Sequence, residues 1–362
     1  MNCHLTRPLQ IDAFLDAAGW GDAEFSWLGQ DASTRRYARL KRGPETAMLM
    51  DAPPVEGVIC APEMSVSERK ASGWNAMTKL AASRVDAFVL IAHHLREIGL
   101  RPPEIIAHDS VVGLALLEDF GEGLEFARLI ERGEEDEVTL YKCAAEDLAH
   151  LHSVPAPDRI EHEGETWSIQ RFDRFALQVS ADLYAEWFPL YDKRAHDTDK
   201  VRLRWEAALE SLIGAADSYE REFTLRDYHA ENLLWLPEGR VGLLDFQDAI
   251  MGWDAWDMAM LTQDARRPVS REASDQAVHT YLERSGKSMD YFSERLAVVG
   301  SLNALRITGL FARLIKRDGK PRYETFMRRQ QALLAQNLQH PEAAEMRAFI
   351  ADTAPFILEV KA

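Results

Sequence analysis

The stretch that most constrains this 362-residue chain is LRDYHAENLLWLPEGRVGLLDFQD, residues 225–248. Two short apolar runs, residues 233–236 and 241–244, flank Pro237-Glu238-Gly239-Arg240, a turn signal. The pattern predicts a β-hairpin. Counted back across a four-residue turn, Leu236 faces Val241, Leu233 faces Leu244, and Asn232 faces Asp245. Asp227 lies five residues before Asn232, in the loop that feeds the same open end. Taken singly, each polar residue reads as a turn cap or an Asx-turn. Two carboxylates and an amide oxygen converging on one spot suit a hard divalent cation plus a general base. That is the equipment for metal-assisted phosphoryl transfer from a nucleotide.

The Asp-x-x-x-x-Asn spacing followed by Asp-Phe is also how kinases arrange their catalytic base and metal ligands. The segment resembles the aminoglycoside phosphotransferase/choline kinase superfamily, whose fold is protein-kinase-like. More narrowly, several stretches are similar to the cell-wall amino-sugar anomeric kinases, which act on N-acetylmuramate and N-acetylglucosamine. They are GQDASTRRYARL at 29–40, MLMDAPP at 48–54, LREIGLRPPEIIAHD at 95–109, LLEDFGE at 116–122 and LRITGLFARLIKRDGKPRY at 305–323. The resemblance implies an α+β, two-lobed fold: a small mixed β lobe over residues 1–117 and a large, mainly helical lobe over 118–362. It implies ATP and Mg²⁺, with Asp227 as general base and Asn232 and Asp245 as Mg²⁺ ligands. The expected acceptor is an amino sugar, phosphorylated on its anomeric hydroxyl. Another small alcohol, such as an aminoglycoside or choline, remains open within the same chemistry. So does a nucleotide-binding module without turnover.

Composition narrows the partners. The formal net charge is −17, which repels phosphate backbones and argues against a nucleic-acid partner. Cys3, Cys60 and Cys143 are widely spaced and form no metal-ligand pattern, as expected for reduced thiols in a cytoplasm. The N-terminal residues lack a long apolar h-region, and no run approaches 18 consecutive apolar residues. Neither a signal peptide nor a membrane span is expected, and no obligate protein partner is implied.

Along the chain, Pro8 followed by Ile11, Phe14 and Leu15 predicts a short amphipathic helix. Residues 25–28, 37–40 and 46–50 read as three strands, 83–98 as a helix, and 111–117 as a strand pair. Residues 167–217 read as mostly helical. The loop between the first two strands, with Ser33, Thr34, Arg35 and Arg36, is suited to fold over nucleotide phosphates. Kinase-like folds place a Lys or Arg on the third strand to meet the α- and β-phosphates. Here Met50 stands at that place, so Arg35 or Arg36 is expected to supply the charge from the loop. Adenine is expected at backbone groups near Glu118 and Phe120.

Other polar residues of the segment have weaker signals. The superfamily commonly carries a His two residues before its Asp. Leu225 occupies that place, and His229 follows Asp227 instead, to brace the loop or face the substrate. Arg226 is expected to hold Asp227 in place, and Asp248 to reach substrate or cap a turn. Asp257 is expected to cap a helix and brace the catalytic loop. His150 and His152 are two apart and cannot share a helical face, so no metal site is expected there. A basic stripe, Arg306, Arg313, Lys316, Arg317, Lys320 and Arg322, interrupts the acidic background. Arg306 and Arg313 share one helix face and are candidates to read an anionic group on the acceptor.

Overall fold

The structure, a computed structural model, describes residues 6–29, 35–54, 63–73, 84–195 and 199–360. An antiparallel sheet of order β1-β2-β3-β5-β4 builds the small lobe. Its strands are β1 (Glu24–Trp27), β2 (Arg36–Arg42), β3 (Glu45–Asp51), β4 (Ile105–Asp109) and β5 (Leu114–Glu118). Side chains alternate across the sheet, so each face has its own core. Ala38, Leu40, Ala47, Leu49, Leu114 and Leu116 pack against Ile11 and Leu15 of α1 (Arg7–Ala17). Met50, Ala115 and Leu117 join the larger core with Phe88 and Leu95 of α2 (Val85–Glu97). Asp51 falls on the α1 face and is fully buried. Arg7 meets it at 2.6 and 2.9 Å and also donates to the carbonyls of Val112 and Gly113.

The strand pair expected within 111–117 begins earlier. Residues 110–113 are the turn, and the Asp109 carboxylate accepts the N–H groups of Val111 and Val112 at 3.0 and 2.8 Å. Gly113 is left-handed, and a Cβ there would lie 2.2 Å from the Ala52 carbonyl oxygen. The apolar Val111 and Val112 read as strand, but the Asx-turn wins.

The large lobe is mainly helical. Its principal helices are α3 (Glu137–Ser153), α4 (Arg174–Tyr191), α5 (Asp199–Asp217), α6 (Asp254–Thr262), α7 (Arg271–Ser285), α8 (Met289–Lys316) and α9 (Glu324–Asn337). Residues 167–173 are not helical. Trp167 and Ser168 end a hairpin of β6 (Arg159–His162) and β7 (Glu165–Ser168), whose tip holds left-handed Glu163 and Gly164. The helix starts only at Arg174, where Asp173 accepts the Ala176 N–H at 2.9 Å. Helix α8 crosses α4 closely at Gly309, where a Cβ would lie 2.2 Å from the Leu183 carbonyl carbon. By length and composition α8 is apolar enough to cross a bilayer, unlike what residue runs alone suggest. Yet 72% of its apolar window is buried inside the lobe, which makes it the central core helix.

Candidate active site

Four short strands frame the chemical segment. β8 (Glu222–Thr224) pairs with β11 (Ile250–Gly252), and β9 (Leu233–Trp235) pairs with β10 (Val241–Leu243). The loop from β8 to β9 carries Asp227 and Asn232; the loop from β10 to β11 carries Asp245 and Asp248. The hairpin register differs by one residue from the expected one: Trp235 faces Val241 and Leu233 faces Leu243. The Leu236 N–H donates to the Arg240 carbonyl at 3.0 Å, so the turn proper is Pro237-Glu238-Gly239, closed by left-handed Gly239. Asn232 therefore faces Leu244, whose N–H donates to its carbonyl at 2.9 Å. Asp245 follows one residue later, on left-handed backbone with φ of 56°. Both residues lie at the hairpin's open end, one position out of cross-strand register.

The catalytic loop is held from below. Asp257, in the first turn of α6, accepts the N–H groups of Leu225 at 2.6 Å and Arg226 at 2.8 Å. It braces the loop as expected but does not cap its own helix, whose N-cap is Trp253. Burial pushes the Asp257 carboxyl up to about 7, against the pull of those two N–H groups. Arg226 is left-handed, with φ of 74°, and the Trp256 indole N–H donates to its carbonyl at 3.3 Å. Asn232 Nδ2 donates to the Asp227 carbonyl at 2.9 Å, which closes the loop onto itself.

The Asp227 carboxylate sits among cations. Burial acts to raise its pKa, but Arg226, Arg306, His229 and Arg266 outweigh it and hold the group below the usual carboxylate range. His229 is buried, and Arg266 donates to its Nε2 at 3.0 Å. Asn232 Nδ2 also lies 3.4 Å from that ring nitrogen, so His229 links Arg266 to the loop. Arg266 itself was not singled out in the sequence. It lies on the turn after α6, where the Asp264 carboxylate accepts its N–H at 2.8 Å.

On the nucleotide side, strand alternation separates the two candidate arginines. Arg36 belongs to the α1 face, pairs with buried Asp51 and lies 4.2 Å over the Trp27 ring. Arg35 belongs to the opposite, cleft face and pairs with Asp245. Burial works against its charge, but Tyr37, Asp245 and Asp248 overcome this and raise its pKa. Asp248 thus sits near Arg35, with Gln247 Nε2 3.4 Å from its carboxylate. Met50, opposite Tyr37, is fully buried and brings no charge to the cleft. Ser33 and Thr34 lie outside the described residues. At the end of β5, the Glu118 carboxylate is clamped by Arg101 at 2.6 and 2.7 Å, and the Glu118 N–H donates to the Glu104 carbonyl. That amide is therefore committed within the sheet. Phe120 packs its ring against Arg101, 4.8 Å away.

The basic stripe does not act as one surface. Lys316 and Arg317 are exposed at the end of α8. Arg306 turns inward toward Asp227, and its Nε and Nη2 donate to Asn303 Oδ1 at 3.1 and 2.8 Å. Arg313 lies about 10 Å further along the helix axis, among Arg317, Asp318 and Glu186. The expected shared face is real as spacing, but only Arg306 reaches the catalytic loop. His150 and His152 diverge as expected: one meets the Ile98 carbonyl, the other the Tyr281 hydroxyl.

The residues around Asp245 fit a hard cation. Asn232 uses its Nδ2 within the loop, which leaves its Oδ1 lone pairs for a cation. Arg35 and Gln247 both engage Asp245 through Oδ1, which leaves Oδ2. A carboxylate and an amide oxygen, completed by phosphate oxygens and water, match the ligand preference of Mg²⁺. Among the described residues no group of three His, Cys, Asp or Glu side chains forms a metal cage. Asn232 and Asp245 are the residues that would hold the ion.

Residues 24–294 match the phosphotransferase enzyme family. An N-acetylmuramate/N-acetylglucosamine kinase of Caulobacter vibrioides is 43% identical over 343 residues, spanning 93% of this chain and 94% of that protein. One of the same name from Pseudomonas aeruginosa is 28% identical, spanning 97% and 95%. Among solved structures, a choline/ethanolamine kinase family protein from Mesorhizobium loti superposes with a TM-score of 0.57 at 16% identity. It covers 95% of this chain and 99% of that one. An ADP-bound aminoglycoside phosphotransferase gives 0.51 at 14% identity, over 86% and 92%. With the family matched over most of its length and a relative at 43% identity, the chain belongs to the phosphotransferase enzyme family and is a small-molecule kinase.

Proposed function

We propose that this kinase transfers the γ-phosphoryl group of ATP to the anomeric hydroxyl of N-acetylmuramate or N-acetylglucosamine, in the cytoplasm where ATP is held. The observation that carries the reading is 43% identity, across nearly the whole chain, to a kinase named for those two sugars. Residues 1–117 would serve the nucleotide and 118–362 the chemistry and the acceptor. Asp227 accepts the proton of the attacking O1 as O1 bonds to the γ-phosphorus and the bond to the ADP oxygen breaks. The products are ADP and the sugar 1-phosphate. Asn232 and Asp245 would hold Mg²⁺, which when bound neutralises charge on the β- and γ-phosphates. Arg35 would take the role of the absent third-strand Lys.

Electrostatics support this acceptor class. A carboxylate surrounded by Arg226, Arg306 and Arg266 is a weak base. Base and acceptor acidity must match for efficient proton transfer. A hemiacetal hydroxyl is more acidic than an ordinary alcohol, so a weak base suffices. The same cations disfavour choline or an aminoglycoside, whose positive charge would lie beside them.

The test is purified protein with Mg-ATP and each candidate acceptor, followed by ADP release and phosphorus NMR of the product. Coupling of the phosphate to one anomeric proton supports the reading. Coupling to the C6 proton pair, or turnover only with choline or aminoglycosides, removes it. ATP binding with no turnover of any acceptor would instead favour a non-catalytic module.

A further inference from the structure

Arg306 is held unusually well for a long, flexible side chain. Both Nε and Nη2 donate to Asn303 Oδ1, one helical turn earlier. Asn303 is itself buried, with its amide nitrogen 3.2 Å from Met260 Sδ, so the anchor is packed on its far side. The guanidinium carbon lies 5.7 Å from the Trp256 ring centroid, on the helix that also carries Asp257. Burial lowers the Arg306 pKa to about 10, which leaves the group charged near neutrality.

Among the described residues no carboxylate forms an ion pair with Arg306 within 4.0 Å, and its side-chain hydrogen bonds are the two to Asn303, from Nε and Nη2. Asp227 acts on it only through space. The neighbouring cation Arg266 is differently placed, bound to His229 and near the Glu231 carboxylate at 3.5 Å. A desolvated guanidinium without a bonded anion is unfavourable by itself. With Nε and one side of Nη2 fixed on Asn303, the outer Nη1–Nη2 edge is a preformed fork for a carboxylate.

We propose that Arg306 is the specificity-determining residue for acceptors that carry a carboxylate, and that it binds the lactyl carboxylate of N-acetylmuramate. The inference rests on the amino-sugar reading above. The lactyl ether is attached a few bonds from the anomeric oxygen. A base for that oxygen and a receptor for that carboxylate must therefore belong to one site, and Asp227 and Arg306 are near enough to interact through space. N-acetylglucosamine lacks the group and makes no such contact.

The experiment is steady-state kinetics of the full chain with saturating Mg-ATP and each sugar, for wild type, Arg306→Gln, Arg306→Lys and Asn303→Ser. Arg306→Gln is expected to raise the N-acetylmuramate KM by about ten- to a hundredfold. Loss of a cation near Asp227 changes kcat with both sugars alike, so the readout is the ratio of the two KM values, which should shift against N-acetylmuramate by that factor; Arg306→Lys should fall between, since a point charge replaces the fork. Equal losses with both sugars, concentrated in kcat, overturn the proposal, because Arg306 would then serve only Asp227. If Arg306→Gln fails to fold, Asn303→Ser decides. It loosens the fork without removing charge, and it must still impair N-acetylmuramate preferentially. Equal effects on both sugars there overturn the proposal as well. Wild-type turnover of neither sugar removes the amino-sugar reading and this inference with it. Turnover of both, with discrimination unchanged in Arg306→Gln, removes the inference alone.

Discussion

Arg35 and Arg36 are adjacent in sequence, yet strand alternation sends them to opposite faces of the sheet, so single substitutions should separate two functions. Arg35 pairs with Asp245 in the cleft; Arg36 pairs with buried Asp51 on the α1 face. Arg35→Ala should remove the proposed charge-assisted contact to nucleotide phosphate, worth about 1.5–3 kcal/mol, or roughly ten- to 150-fold in Kd. The same change releases Asp245 from its cation, so the dependence of nucleotide binding on Mg²⁺ should grow. Arg36→Ala should leave nucleotide affinity within about twofold. It should lower stability by about 1–3 kcal/mol, because Asp51 is fully buried and loses one of two guanidinium partners. The Trp27 contact adds about 0.5–1 kcal/mol to that loss. Calorimetry of ATP binding with and without Mg²⁺, together with urea unfolding, reads both effects. If Arg36→Ala weakens nucleotide and Arg35→Ala does not, the alternation argument is wrong. Equal weakening in both would mean that neither residue has a distinct role.

Asp227→Asn should keep the fold and nucleotide binding while turnover drops by about 10²–10⁴-fold, the usual contribution of a positioned base; near-normal kcat at saturating acceptor would sink that role. Asp245→Ala should abolish the tightening of nucleotide binding by Mg²⁺, and Asn232→Ala should weaken it, with identical wild-type affinities for ATP and Mg-ATP as the contrary result. Asp257→Asn sets an NH₂ group against one of two backbone N–H donors, so it should lower stability by about 1–3 kcal/mol and reduce kcat more than nucleotide affinity; a wild-type melting curve and kcat would refute this. Burial drops the His152 pKa to about 4, so between pH 6.5 and 4 the unfolded chain binds a proton that the folded chain refuses. Stability should thus fall as pH falls through that window, by up to about 3 kcal/mol from this group, and His152→Gln should flatten the slope in urea titrations at several pH values.

Much of the architecture was written locally. The three small-lobe strands, the helix at 85–97 and the hairpin at 233–243 follow from alternation, periodicity and turn residues. The errors fall where a side chain bonds backbone. Val111 and Val112 look like strand, but the Asp109 carboxylate folds them into a turn. The catalytic hairpin slipped by one because a four-residue count ignored the left-handed residue that Gly239 supplies. Arg266 carried no local signal: its role depends on His229, 37 residues away in sequence. Asn303 and Arg306 were readable as an i, i+3 pair on one helix, but only packing against Trp256 and Met260 shows that this pair is fixed.

Backbone strain ties these pieces to the chemistry. Among the described residues, three outside glycine have positive φ: Glu163 in a hairpin tip, Arg226 beside the base, and Asp245 at the metal-ready end. Asp tolerates the left-handed region because its short side chain bonds locally, as Asp245 does with Gln247. Arg has no such compensation, and a left-handed turn there costs about 1–2 kcal/mol. The structure supplies the missing stabilisation from outside the loop. Two backbone N–H bonds from Leu225 and Arg226 to Asp257, and the Trp256 bond to the Arg226 carbonyl, hold the turn in place. A strained backbone persists only where its surroundings over-determine it. The brace therefore belongs at Arg226 and not at Asp245. The base is then set by helix α6, which also carries Trp256 against Arg306. One helix thus orients both the proposed proton acceptor and the proposed receptor for the acceptor's carboxylate. Their relative placement is consequently set within the large lobe.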